Sequence, residues 1–272
     1  MSRSALIRQW LPPALYGPLG RASGRSLRFT GQPANWAEAQ AQSGGYDDTA
    51  ILARVVQATR EVIAGRAAFE RDGMLFAHLV PPFQLLAPLL RHALAGPGGL
   101  DVIDFGGSLG STYRLCKSFL PPGLPVRWQV IEQPGFVAAG QAEFSTEALS
   151  FHAGLDDLPP AASPRLLLAS SVLQYLPDPD AQLAAWRQAH IRSLLIDRAP
   201  LWQQAHHHLC IQRVPRQIVE ASYPMWVLSL PRLLQGLGPD WRPVCEFDCA
   251  EGRHPAEGGV HFDFKGLFME RM

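Results

Sequence analysis

The densest chemical information in the chain lies in Asp101-Val-Ile-Asp104-Phe-Gly106-Gly107-Ser108-Leu-Gly110-Ser111-Thr112-Tyr113. An apolar stretch ends in an acid, glycines then permit a tight turn and close backbone approach, and a helix is expected to begin around Ser111. That order suits a loop cradling the polar part of a cofactor, although strand-to-helix turns also use glycine for geometry alone. A second carboxylate ends the next apolar stretch, in Val130-Ile131-Glu132-Gln133-Pro134. Its two oxygens can accept both hydroxyls of a ribose. Glu132 follows Asp104 by 28 residues, more than the roughly 20 of a compact dinucleotide unit, and the loop Pro121-Pro122-Gly123-Leu124-Pro125 absorbs the excess. The plain alternative for Glu132 is a surface carboxylate at a strand end; the paired glycine loop favours the ribose.

Such residues act together only if strands deliver them to one edge of a sheet. Short apolar runs at 100–105, 126–132, 149–152, 165–170 and 192–197 alternate with helical or loop stretches, which predicts an α/β fold. Its sheet is mostly parallel, covered on both faces, with ligands at the carboxyl ends of the strands. The tail at 244–249 and 260–268 predicts a C-terminal antiparallel hairpin closing the sheet edge. Upstream, Ile51, Leu52, Val55, Val56, Val62 and Ile63 recur at helical spacing, and a second apolar helix is expected over 83–94, before Gly96-Pro97-Gly98-Gly99. Residues 1–95 therefore read as an N-terminal arm and helical cap, the first thirty or so being a loosely packed arm, and residues 96–272 as the ligand-binding domain.

Hydrophobic residues make up 47% and charged residues 18%, a globular composition too apolar for disorder. Lys+Arg and Asp+Glu balance at 24 each, which argues against a nucleic-acid partner. Apolar stretches are interrupted before bilayer-spanning length, and the start lacks the pattern of a secretory signal, so a cytoplasmic protein without a membrane partner is expected. Four cysteines imply no disulfide framework. No metal site is expected. His206-His207-His208 point in different directions and read as a solvated turn, and Cys245, Phe247 and Cys249 alternate onto one apolar strand face.

The acid, the spaced glycines and the second acid resemble class I S-adenosylmethionine (SAM) methyltransferases. The resemblance implies a Rossmann-like sheet, with Asp104, Gly106, Gly107 and Gly110 at the methionine end of SAM and Glu132 on the ribose. Ser108 departs from the pattern, standing where the usual alternating loop has its middle glycine. More specifically, the chain is similar to a bacterial group of methyltransferase-like proteins met beside surface-polysaccharide or natural-product genes. The similarity runs over residues 36–268, through Ser43-Gly-Gly-Tyr46, Phe69-Glu70-Arg71-Asp72, Asp104-Phe-Gly-Gly-Ser-Leu-Gly110, Val130-Ile-Glu132-Gln133, Ser170-Ser-Val-Leu-Gln174-Tyr175-Leu, Ile196-Asp197-Arg198 and Ala221-Ser-Tyr223-Pro224. Bacterial azetidine-2-carboxylate synthases are similar to the same group.

With SAM as cofactor or sole substrate, catalysis consists largely of positioning a nucleophile in line and excluding water. Ser170, Ser171, Gln174 and Tyr175 offer hydroxyls, an amide and a ring. Ser170 joins the SAM-binding set, and Tyr175, Gln174 and Ser171 form the catalytic set, the phenol ring stabilising a sulfonium through its π-face. Tyr175 packing under Pro177-Asp-Pro179 is the equal alternative. Arg71 is placed to take the SAM carboxylate bidentately, against an ion pair with Glu70 or Asp72 at a helix end, which is preferred. Tyr46, Arg198 and Tyr223 are candidate substrate contacts; Tyr46 also fits a simple turn, Tyr223 fits interdomain packing equally well, and for Trp226 packing is preferred. Methyl transfer to a small-molecule or saccharide acceptor stands slightly ahead of closure of SAM to azetidine-2-carboxylate with release of methylthioadenosine. Non-catalytic SAM binding and a nicotinamide dehydrogenase are more distant alternatives.

Overall fold

The structure, a computed structural model, describes residues 27–44, 48–161, 163–214 and 221–272. Most of the expected arm, and Tyr46, lie outside the described residues. In chain order, β1 (Arg28–Thr30) precedes α1 (Trp36–Ala41), which starts where the Asn35 side chain accepts the Glu38 N–H at 2.9 Å, an N-cap bond. The amphipathic α2 (Asp48–Ile63) leads to a short hairpin of β2 (Phe69–Arg71) and β3 (Met74–Phe76). Then α3 (Phe83–Leu94) buries Leu85, Leu86 and Leu89 on the sheet formed next. The N-terminal third is thus not only helical as expected: β1 and the β2–β3 hairpin are strands of three residues, too short for a periodic pattern to register.

From there strands and helices alternate: β4 (Leu100–Phe105), α4 (Ser111–Lys117), β5 (Val126–Ile131), α5 (Pro134–Ala139), β6 (Leu149–His152), β7 (Arg165–Ser170), α6 (Pro179–Gln188) and β8 (Ile191–Trp202). The chain continues through β9 (His208–Arg213), β10 (Ser222–Ser229), α7 (Leu230–Leu237), β11 (Trp241–Ala256) and β12 (Val260–Arg271). Across the sheet the order is β6-β5-β4-β7-β8, all parallel. β12 then lies antiparallel to β8, with β11 outside it. The tail hairpin therefore closes the sheet as expected, its second strand inserted against β8. This is a Rossmann-like α/β sheet, and the strand order reverses between β4 and β7, where such sheets open a crevice for ligands.

Both sheet faces are covered, which explains the unbroken apolar runs. Leu89, Trp128 and Phe151 pack on one face; Ile103, Leu167 and Trp186 pack on the other. β8 extends beyond the expected 192–197. Its far end, Leu201 and Trp202, pairs with Leu228 and Ser229 of β10, which continues through β9 to β1 as an antiparallel wall. A third core, with Cys210, Met225, Phe262 and Phe264, fills the space beside the β11–β12 hairpin.

Two expectations change. His207 is not a solvated turn residue: its Nδ1 accepts the Ser229 N–H at 2.8 Å, and its Nε2 faces Asp180 Oδ1 at 3.1 Å. Cys245 is exposed while Cys249 is buried: the pairing of β11 with β12 is regular from Cys245 to Asp248 and shifts register between Asp248 and Arg253, where Cys249 lies.

Candidate functional site

Two chambers meet at the carboxyl ends of the parallel strands. The wide one, about 1040 Å³, is a groove that runs from Gly106, Glu132 and Tyr175 at those ends, past Leu155 and Asp156, along the sheet face to Arg165 and Ile191 at the starts of β7 and β8. The narrow one, about 110 Å³, lies between the β2–β3 hairpin and the ends of β4, β7 and β8, with Arg71, Asp72, Asp104, Ser170, Asp197 and Arg198 in its walls. Gly106 and Ser171 line both and form the waist.

β4 delivers Asp104 to this edge. The residue is 1% exposed and accepts the Trp128 Nε1 proton at 2.8 Å. Burial pushes its carboxyl up to about 7, against the opposing effect of the Trp128 bond. Gly107 lies so close that a Cβ there would stand 2.6 Å from Asp104 Oδ2. Ser108, the departure from the glycine pattern, still takes the left-handed backbone that glycine favours, with φ of 54°. Its N–H donates to Glu132 Oε1 at 3.1 Å, and the Gln133 N–H donates to Oε2 at 2.8 Å. Burial raises the Glu132 pKa, and these two bonds oppose the rise. The glycine loop and the second acid are thus joined directly, a link that no spacing rule reveals.

Four described non-glycine residues hold positive φ: Asp72, Ser108, Ser171 and Arg198. All four line the narrow chamber. Each conformation costs on the order of 1–3 kcal/mol, and such strain clusters where a site dictates backbone direction.

Arg71 stands on β2, not at a helix end. Among the described residues it forms no ion pair with Glu70 or Asp72, and its guanidinium lies 5.9 Å from the Phe69 ring centroid. Burial, with the nearby Arg198 charge, lowers its pKa. Glu70 turns instead to the Ser111 hydroxyl and the Gly73 N–H. Ser170 Oγ donates to Asp197 Oδ2 at 2.6 Å, and Arg198 Nε donates to Ser170 Oγ at 3.2 Å. Arg198 also faces Glu251 of β11 at 3.8 Å. Glu251 escaped the sequence reading because nothing in its neighbourhood shows that β11 returns to this edge.

Ser171 is at the waist, Gln174 is bonded to it from behind, and Tyr175 lines the wide chamber beside it. Gln174 is fully buried, and its Nε2 donates to Ser171 Oγ at 3.1 Å and to the Arg198 carbonyl at 3.3 Å. It supports two of the left-handed residues. The Tyr175 hydroxyl donates to Gln212 Oε1 at 3.0 Å, and burial pushes its pKa up to about 12. Tyr223 lies beside it with ring centroids 5.2 Å apart, edge to face. Trp226 is packed as expected, stacked on Trp36 and donating to the Leu176 carbonyl. Among the described residues no histidine or lysine lines the narrow chamber, no three ligands gather for a metal, and no helix is long and apolar enough to cross a membrane.

A wide compartment beside a strand-end carboxylate suits a nucleoside. A narrow one with guanidinium and carboxylate groups suits a zwitterionic tail. No family model matches the chain, and no curated protein matches it. Among solved structures it is similar to the N-terminal domain of EvdMO1, crystallised in the presence of SAH and D-fucose. Identity there is 14%, covering 83% of this chain and 97% of that one, with a TM-score of 0.44. It is also similar to SAM-bound CalS10, an amino pentose methyltransferase from Micromonospora echinaspora involved in calicheamicin biosynthesis, at 11% identity over 70% of this chain and 91% of that one, TM-score 0.42. A third is the N-methyltransferase NodS from Bradyrhizobium japonicum WM9 in complex with SAH, at 16% identity over 70% and 88%, TM-score 0.39.

Proposed function

We propose that the protein consumes SAM by displacement at a sulfonium-bound carbon, and that its reaction is methyl transfer to a small-molecule or saccharide acceptor of bacterial secondary metabolism. The observation that carries this reading is the two-part cleft, because a nucleoside joined to an α-amino acid is what its halves would hold in series. SAM supplies an activated carbon on a positively charged sulfur. Glu132 takes the ribose hydroxyls, and the loop 106–110 approaches the ligand closely by backbone. Arg71 takes the carboxylate, with Ser170 and Asp197 beside the amine. Tyr175 turns its ring to the sulfonium, while its hydroxyl stays protonated. Ser171 lines the waist, Gln174 holds it in place, and Arg198 and Tyr223 border the acceptor side. The wide chamber continues past Tyr175 and Leu176 to Gln182, which leaves room for an acceptor.

One observation favours a second reading, ring closure of SAM to azetidine-2-carboxylate. The narrow chamber of about 110 Å³ accommodates an amino-acid tail with little to spare, so the tail's own amine is the nucleophile held nearest the sulfonium. Purified protein incubated with SAM alone, then with sugar and amine acceptors, and followed by mass spectrometry separates the two. S-adenosylhomocysteine formed only with an acceptor is the expected outcome. Methylthioadenosine with azetidine-2-carboxylate from SAM alone establishes the second reading, and failure of SAM to bind sinks both.

A further inference from the structure

We infer that Gln212 is a positioning residue that holds Tyr175 and Tyr223 in the geometry by which the site distinguishes a sulfonium from a thioether; this rests on the SAM reading above. Gln212 stands on β9, the middle strand of the antiparallel wall, directly opposite Tyr223 of β10 in the strand register. The side chain is 4% exposed. Its Oε1 accepts the Tyr175 hydroxyl proton at 3.0 Å, and its Nε2 donates to the Tyr223 oxygen at 2.9 Å. One amide thus joins the turn after β7 to two strands of the wall and fastens both ends of an edge-to-face tyrosine pair.

The position is otherwise an apolar one. Cys210, two residues earlier on β9, and Met225, two residues after Tyr223 on β10, are fully buried in the third core, as strand alternation dictates. A leucine at 212 would pack there but would leave two phenol hydroxyls without this partner. A buried polar side chain is tolerated because both ends of its amide are bonded, and a satisfied network of this kind fixes one arrangement of its members. The arrangement it fixes holds Tyr175 in the wall of the wide chamber, with Gly106, Ser171 and Val172. A ring face attracts a cation and has no such attraction for a neutral thioether. Its orientation therefore matters for SAM and not for S-adenosylhomocysteine.

The test is calorimetric binding of SAM and of S-adenosylhomocysteine to the wild-type protein and to Gln212→Leu, Gln212→Glu and Tyr223→Phe. The wild type is expected to prefer SAM. Gln212→Leu is expected to lose about tenfold in SAM affinity while binding the thioether within twofold of wild type. Gln212→Glu, whose carboxylate accepts from both phenols, is expected to keep the preference. Tyr223→Phe, which leaves one of the two anchors, should fall between and serves if Gln212→Leu does not fold. Equal weakening of both ligands, or no change in either, overturns the positioning role and leaves the SAM reading standing. A wild-type protein that binds neither ligand removes that reading and this inference with it.

Discussion

Asp104 keeps a proton in the folded protein that the unfolded chain releases near 3.8, because full burial holds its carboxyl at about 7. Its contribution to stability is therefore complete below the unfolded value and is lost as pH rises through the folded one. Asp104→Asn retains an oxygen for the Trp128 Nε1 proton and removes the titration. Thermal unfolding at pH 5 and pH 8 should show a smaller difference for the variant than for the wild type; an unchanged difference would place the titrating group elsewhere. Glu132→Ala should abolish SAM binding, a loss of about a hundredfold or more if two charge-assisted bonds to the ribose go, with the fold retained and the melting temperature lowered by the loss of the Ser108 and Gln133 bonds. Unaltered affinity in calorimetry removes Glu132 from the site. For Tyr175 the ring and the hydroxyl separate: Tyr175→Phe keeps the ring but frees it from Gln212 Oε1, so it should weaken SAM binding as Gln212→Leu does, at a cost of about 1 kcal/mol in stability, and retain part of the activity, whereas Tyr175→Ala should lose the activity. Equal activity losses in the two variants would point to the hydroxyl.

At the scale of elements, the loop 106–110 joins β4 to α4 with no room to spare at Gly107. A methyl group at 107 would drive into the Asp104 carboxylate, and relief requires moving the end of β4. Gly107→Ala should destabilise the protein by about 1–3 kcal/mol and weaken SAM binding; a variant with wild-type melting temperature and affinity would show that the loop yields. The sheet strands at 100–105, 149–152 and 165–170 were legible to the residue, because both-face burial demands short apolar runs bounded by turn residues. The β2–β3 hairpin was not, since three-residue strands carry no period and Arg71 looked like a helix-end charge. The wall of β1, β9 and β10 was equally hidden: its inward face carries Cys210, Gln212 and Tyr223, and a lone glutamine in an apolar stretch signals a bridge only once its partners are known. Asp104, the glycines and Glu132 announced themselves by type and spacing, while Glu251 depended on a strand pairing across the whole sheet.

Across the whole molecule, the cleft draws on the hairpin at 69–76, the loop at 104–111, the strand end at 130–133 and the turn at 154–157, segments that a ligand filling both chambers would join. SAM should slow amide hydrogen exchange in all four together, measured by mass spectrometry, and leave the β11–β12 turn at 257–259 unaffected. Protection confined to one segment would contradict a single ligand bridging the chambers. β12 occupies an interior place in the sheet, with β8 on one side and β11 on the other, and buries Phe262, Phe264, Leu267, Phe268 and Met269. It is also the last of these strands in chain order. On the ribosome, β8 must therefore wait with an open, hydrogen-bond-hungry edge until residues 260–271 emerge, so the interval between synthesis of β8 and of β12 is one in which the nascent protein is exposed to misassociation.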